Sequence, residues 1–177
     1  MPLAWTVSYT HLDVYKRQIL DMSRIESGKM ELSYESIDLE QQLSNLESLF
    51  RAQAEEKHLE LTFENDYRKK RPLRADSLRL NQILVNIIGN AIKFTELGSV
   101  AVRVKVLEEE PRALIRFSVT DTGIGIEPAA MRRIFNAFEQ ADALTASRHG
   151  GTGLGLSISS RLVQMMGGTL EVRSRCV

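Results

Sequence analysis

Three short stretches carry residue types whose spacing could do chemistry. The first is a polar stripe on an otherwise apolar segment: Gln82, Asn86, Asn90 and Lys93 recur at helical intervals between Asp76 and Phe94. At ~100° per residue they share one face, away from the apolar one. A solvated face more often uses Glu and Lys, and Asn is a poor interior helix former. Two asparagines at i, i+4 can offer two side-chain carbonyls to one hard cation such as Mg²⁺. Lys93, one turn on, could meet phosphate. Taken alone, an ordinary solvated stripe is the plainer reading. The second stretch is Asp121-Thr122-Gly123-Ile124-Gly125-Ile126. Its glycines let backbone approach a flat ligand, and an exposed aspartate there could accept the amino proton of adenine, which guanine could not offer. An EF-hand is a poor alternative, because Gly123 and Gly125 replace the required oxygen ligands. An ordinary glycine turn is the equal alternative. The third is Gly150-Gly151-Thr152-Gly153-Leu154-Gly155, running into a helix. Helix N-termini present unpaired N–H groups and a positive dipole end, so phosphate fits there. No GK[ST] closes the loop and the G-x-G-x-x-G spacing is not met, which excludes a Walker A loop and the dinucleotide fingerprint. A flexible hinge is the alternative.

Periodicity supplies the elements that must position these stretches. Ile19, Met22 and Ile25 follow helical spacing up to a stop at Gly28, as the last turns of a helix would. Residues 30–37 alternate apolar and polar, predicting a short strand. Asp38 opens a helix with Gln41 as its capping-box partner, and Leu39, Leu43, Leu46 and Phe50 form the buried stripe. Leu59, Leu61 and Phe63 predict a second strand, followed by a basic loop (65–73) containing Pro72. Asp76 caps the next helix, whose apolar face is Leu80, Ile83, Leu84, Ile87, Ile88 and Ala91. Val100 to Val106 and Leu114 to Val119 alternate as two strands of a hairpin. A short helix is expected near 128–135, an aperiodic polar segment over 139–152, and a last helix from near Gly153 with Leu154, Ile158 and Leu162 inward. It stops at Gly167-Gly168, and residues 169–173 read as a final strand. The order predicts an α+β fold, a two-layer α/β sandwich with helices on one face of a mixed sheet.

Composition narrows the function classes. The 177 residues carry 23 Lys+Arg and 23 Asp+Glu, so there is no basic surface for wrapping duplex nucleic acid. Apolar residues are 43% and charged residues 26%, an ordinary globular balance. The single cysteine, Cys176, excludes an internal disulfide. No apolar run exceeds about three residues, far below the ~18 of a membrane span, and residues 1–10 lack the pattern of a signal peptide. Residues 1–18 show no sustained period, and SYTHLDVYKRQ resembles a translated cloning scar. They are set aside as non-native.

In this order, the asparagine segment, D-x-G-x-G and G-T-G-L-G resemble the ATP-binding catalytic domain of bacterial sensor histidine kinases, within the gyrase/chaperone/histidine kinase/mismatch-repair ATPase superfamily with its Bergerat-type fold. The resemblance covers Asp38 to about Ser174 and includes LRLNQILVNIIGNAIKFT (78–95), DTGIGI (121–126), RIFNAFEQAD (133–142) and GGTGLGLSIS (150–159). Residues 19–30 resemble the end of the second helix of a dimerisation and phosphoacceptor domain, and residues 36–177 the catalytic domain. The resemblance implies that Asn90 binds Mg²⁺, that Asn86 supports metal and phosphates, and that Lys93 contacts phosphate. Phe94 would pack near adenine and Asp121 would read its amino group, with Gly123, Gly125 and Ile126 alongside. Residues 139–152 would be a mobile ATP lid anchored by Phe135 and Phe138, with Arg148 reaching the phosphates. Gly151, Thr152, Gly153, Leu154 and Gly155 would cradle them.

Hydrolytic members of the superfamily place a water-activating glutamate where this chain has Asn86, and an amide is not a general base. The resemblance therefore favours phosphoryl transfer to a histidine over hydrolysis. The family's H-E/D-x-R-T-P acceptor motif is absent, so His11, His58 and His149 are not expected to be phosphorylated. The family also continues beyond residue 174 into a further strand, which this chain is expected to lack, leaving an unpaired edge and a fold of low stability. The implied partners are a phosphoacceptor histidine domain, in the parent chain or a homodimer partner, and a response regulator. The implied place is the cytoplasm, with a possible membrane anchor upstream. Two other classes stay open: a nucleotide-binding module without transfer activity, and a superfamily ATPase clamp.

Overall fold

Two aspartates start the two long helices that build the domain. Asp38 Oδ1 accepts the backbone N–H of Gln41 at 3.1 Å, and Asp76 Oδ1 that of Arg79 at 2.9 Å. Each carboxylate satisfies an N–H that has no intrahelical acceptor. The structure, a computed structural model, describes residues 9–67, 73–108, 113–131, 133–137, 139 and 153–174. The elements run α1 (Tyr9–Glu26), β1 (Glu35–Ile37), α2 (Leu39–Glu56), β2 (Glu60–Asn65), β3 (Leu73–Ala75), α3 (Ser77–Phe94), β4 (Ser99–Glu108), β5 (Leu114–Asp121), α4 (Pro128–Met131) and α5 (Gly155–Met165).

The main sheet is mixed, in the order β2-β4-β5. β2 pairs parallel with β4, Leu61 opposite Val100 and Phe63 opposite Val102. β4 pairs antiparallel with β5, Val102 opposite Val119, with a register shift between Val106 and Glu108. Alternation along β4 sends Val100, Val102 and Val104 into the core, each at most 1% exposed. There they meet Leu39, Leu43, Leu46 and Phe50 of α2 and Leu80, Leu84, Ile88, Ala91 and Ile92 of α3. This is the expected two-layer α/β arrangement, built by helical stripes facing a pleated surface.

Several boundaries differ from expectation. β1 and β3 form a separate antiparallel ribbon, Glu35 opposite Ala75 and Ile37 opposite Leu73, so there are two sheets among the described residues. The strand expected over 30–37 is only three residues long, and α4 is shorter than the expected 128–135. α1 begins at Tyr9, inside the segment set aside. That segment lacks a core period, but from Tyr9 onward it contains no Gly or Pro, the residues that stop a helix. α5 ends in a Schellman motif: Gly167 (φ +80°) donates to Gln164 O and Gly168 to Val163 O. Residues 169–174 then enter no ladder, so the final strand is not formed among the described residues. A strand needs a partner's backbone groups; this segment is instead tied back by a bond from Ile126 N–H to Ser174 Oγ, 2.7 Å.

Candidate functional site

The asparagine stripe lies on α3, and the described parts of the other two stretches, the Asp121 loop and Gly153 to Gly155, pack against it. Its middle meets α5. Asn86 Nδ2 donates to Ser159 Oγ at 2.9 Å, and a Cβ on Gly155 would lie 2.2 Å from Asn86 Oδ1. Only glycine lets the first turn of α5 approach this amide so closely. The N-terminus of α5, with Gly153 at φ +68° and Leu154 fully buried, is therefore fixed against the asparagine stripe. Ser157 Oγ, buried, donates back to Leu154 O at 2.8 Å.

The C-terminal end of α3 meets the Asp121 loop. Ile124 N–H points at Phe94 O at 3.4 Å, and a Cβ on Gly123 would lie 2.5 Å from the same carbonyl. Asp121 is exposed and its Oδ1 accepts Gly123 N–H at 2.9 Å. This local turn leaves the other carboxylate oxygen outside that bond. Thr122 is a clasp the sequence reading did not single out. Its Oγ1 donates to Leu97 O at 3.1 Å and accepts Ser99 N–H at 3.0 Å, holding the turn between α3 and β4. Gly98, at φ +108°, could carry no Cβ beside it.

Between these contacts lie Asn90 and Lys93, both half-buried. The Asn90 amide makes no hydrogen bond among the described residues. Lys93 Nζ sits 4.9 Å from the Phe94 ring centroid, a cation–π geometry. Burial holds the Lys93 ammonium below the usual lysine range. From behind, Lys57 at the end of α2 donates its Nζ to Ile92 O (2.8 Å), Lys93 O (2.9 Å) and Thr95 O (3.2 Å). It caps the last turn of α3 and complements the negative end of the helix dipole.

The polar stripe is thus not a solvated face. Gln82, its first member, donates Nε2 to Asp21 Oδ2 of α1 at 2.9 Å, and Asn86 is bonded to α5. Phe94, Asp121 and Gly123 lie at the loop contact and Gly153, Leu154 and Gly155 at the α5 contact, while Gly125 (φ +71°) follows in the same loop and Ile126 donates its N–H to Ser174 Oγ. Phe138, Arg148, Gly151 and Thr152, and with them most of the expected lid, lie outside the described residues. Sequence reading missed Ser159, Lys57, Asp21 and Arg79. A helical i, i+4 step from Gly155 marks Ser159 as sharing its face, but the others act across long sequence separations that no local pattern reveals.

These donor types suit a nucleotide: an exposed carboxylate, a half-buried cation, an uncommitted amide and a helix N-terminus on one scaffold. Among the described residues no cluster of three or more His, Cys, Asp or Glu is present to hold a metal. A bound cation would instead draw on amide oxygen and phosphate. Also among the described residues, no helix is long and apolar enough to cross a membrane.

The chain is similar to known proteins in sequence and fold. A family model described as histidine kinase-, DNA gyrase B- and HSP90-like ATPase matches residues 75–176. The chain is 39% identical over 164 residues to the autoinducer 2 sensor kinase/phosphatase LuxQ of Vibrio cholerae, covering 93% of this chain and 19% of that protein. It is similar to the structure of full-length ShkA in complex with AMPPNP, with TM-score 0.76 and 38% identity over 89% of this chain and 31% of that one. The fold also recurs in histidine kinase ThkA in complex with the response regulator TrrA, with TM-score 0.63 and 21% identity over 95% of this chain and 47% of that one. The chain spans about a fifth of the length of the curated relative named here.

Proposed function

Because the chain belongs to the histidine kinase-, DNA gyrase B- and HSP90-like ATPase family, we propose that it binds ATP with Mg²⁺ as the catalytic domain of a sensor histidine kinase and delivers the γ-phosphoryl group to a histidine. One observation carries the reading. The asparagine helix, the aspartate–glycine loop and the glycine-rich helix start are joined by direct contacts, Asn86 to Gly155 and Phe94 to Ile124.

ATP supplies the phosphoryl group and Mg²⁺ neutralises charge on its phosphates. The chain's residues do the rest by positioning. Asp121 accepts from the adenine amino group through the oxygen not engaged with Gly123. Phe94 packs beside the base. Asn90, whose amide is uncommitted, offers Oδ1 to the cation. Lys93 and the N–H groups that open α5 meet the phosphates. Asn86 keeps α5 in place, and as an amide it abstracts no proton from water. That favours a protein nucleophile over hydrolysis. An imidazole nitrogen of the acceptor then bonds to the γ-phosphorus while the bond to the β–γ bridging oxygen breaks, leaving ADP. Arg148, Phe138, Gly151 and Thr152 close over the phosphates in this reading. The acceptor domain, a response regulator and homodimer assembly belong to the parent protein, working in the cytoplasm.

The test incubates the chain with labelled ATP, with and without a separate phosphoacceptor domain. Phosphohistidine on that domain is the expected result. Binding without transfer would leave only a nucleotide module, and phosphate release by the chain alone would indicate an ATPase. Asp121→Asn keeps an oxygen for the Gly123 turn but presents an amide where the adenine amine must be accepted. It should abolish ATP binding with the fold unchanged, and retained affinity would sink the adenine assignment.

A further inference from the structure

Among the described residues, the buried charged side chains, Asp21 and Asp76, lie where α1 and the linker after it meet the start of α3. Asp21 is 7% exposed. Arg79 Nη1 reaches both of its carboxylate oxygens, at 3.3 and 3.4 Å, and also donates to Gln82 Oε1 at 2.8 Å. Gln82 Nε2 closes the ring on Asp21 Oδ2 at 2.9 Å. Asp76, 4% exposed, adds a second tie: its Oδ2 accepts Ser33 N–H at 2.9 Å, while Oδ1 caps α3. The linker after α1 and the first turn of α3 therefore share one carboxylate.

Beside this ring lies a second apolar cluster, separate from the main core. Met30, Ile83, Leu154, Ile158 and Leu162 are its buried members, with Met22 and Ile25 of α1 packed against them. Leu154 immediately precedes Gly155, which touches Asn86. Gln82 is one turn from Asn86 on the same helix. α1 thus supports, from behind, both elements that the proposed function gives to the phosphates.

We propose that Asp21, Arg79 and Gln82 are positioning residues: they latch α1 onto α3 and so make α1 docking and nucleotide binding one coupled equilibrium. A buried ion pair that loses one member strands the other charge, so the latch is closed as a unit or open as a unit. With α1 released, Leu154, Ile158 and Leu162 lose cover, and the start of α5 loses the packing that holds it on Asn86. Coupling is reciprocal by thermodynamic necessity. Nucleotide must favour docked α1 by the same factor by which release of α1 weakens nucleotide.

The coupling rests on the ATP reading above, whereas the latch does not, and one experiment separates them. Hydrogen exchange of α1 amides, with and without ADP and Mg²⁺, is measured on the full chain and on Arg79→Met, Asp21→Asn and Arg79→Lys. An isolated helix of this length is marginal in water, so released α1 exchanges fast. Exchange of β4 amides in the main core reports whether each variant stays folded. Arg79→Met and Asp21→Asn should expose α1, leave β4 protected and weaken ADP binding by about tenfold. ADP should slow α1 exchange in the parent chain by a similar factor. Arg79→Lys, which keeps the charge but not the reach to two oxygens, should recover part of both effects. Protected α1 in Arg79→Met and Asp21→Asn overturns the latch. Released α1 with ADP affinity within twofold of the parent overturns the coupling. A parent chain that binds no ADP overturns the ATP reading and the coupling with it, leaving the latch to stand or fall on α1 exchange alone.

Discussion

Along α3, Arg79 and Gln82 near the N-terminus are closed onto Asp21 of another helix, whereas near the C-terminus Asn90 has no hydrogen bond among the described residues. Lys93 there is held only half out of water, next to a loop that glycines bring into backbone contact. The same residue chemistry, amide and cation at helical spacing, serves the protein's own assembly at one end, while at the other the proposed function gives Asn90 and Lys93 to a ligand. Asn86 marks the change, bonded to Ser159 yet one turn from Asn90. A polar stripe on a helix is therefore not one object. Which part is a site depends on what packs opposite.

The sharpest way to break this division is at its boundary. Gly155→Ala drives a methyl into Asn86 Oδ1, so the amide must swing off Ser159 or α5 must move. The expected cost is about 2 kcal/mol, within the range for overpacking, read as a shift in urea midpoint. In an Asn86→Ala background the obstacle is gone and the same substitution should cost less than half as much. Equal costs in the two backgrounds would mean that Asn86 and Gly155 are not coupled, and Asn86 would then belong wholly to the ligand end.

Lys57→Met tests the C-terminal end with a smaller effect. It removes a charged donor shared by three carbonyls, worth about 1.5 kcal/mol at a half-exposed position. Because those carbonyls belong to the turn carrying Lys93 and Phe94, nucleotide affinity should fall with stability, while α1 exchange stays unchanged. Faster exchange of α1 would show that the two ends of the helix are not separable.

Legibility in the sequence followed interaction range. The stripes Leu39-Leu43-Leu46-Phe50 and Leu80-Leu84-Ile88 announced which helix faces would meet Val100, Val102 and Val104, because periods of 3.6 and 2 are local. Asp38 and Asp76 announced helix starts for the same reason. The glycine-rich stretches were legible as motifs, and the structure adds why two of their glycines are required, through contacts with Asn86 Oδ1 and Phe94 O. The Asp21–Arg79 pair spans 58 residues, and the Lys57 clasp about 35. A charge in a sequence carries no mark of a partner so distant, and each of these side chains reads as a surface residue until the helices are packed. β3 is three residues long, too short for alternation to register. Residues 169–173 alternate like a strand yet join no ladder among the described residues, since pattern specifies a face and not a neighbour.

Lys93 gives the smallest effect and the cleanest sign. Its ammonium is partly desolvated, so in the folded protein it deprotonates below the usual lysine range. A lowered lysine pKa means that the charged form is disfavoured by folding. The penalty is full at pH values below the folded pKa and is relieved as pH rises through it. Phosphate beside the ammonium favours the charge instead. Nucleotide affinity should therefore be flat at neutral pH and decline on the alkaline side as Lys93 loses its proton, with uptake of up to one proton on binding there. Lys93→Met should flatten that limb and weaken nucleotide binding, while slightly raising the stability of the nucleotide-free chain by removing a poorly solvated charge. The two changes have opposite signs, as expected of a residue placed for a ligand at some expense to the fold. A Lys93→Met chain that is less stable, with affinity and pH profile unchanged, would move Lys93 to the side of Arg79 and Gln82, and the proposed ligand end of the helix would shrink to Asn90.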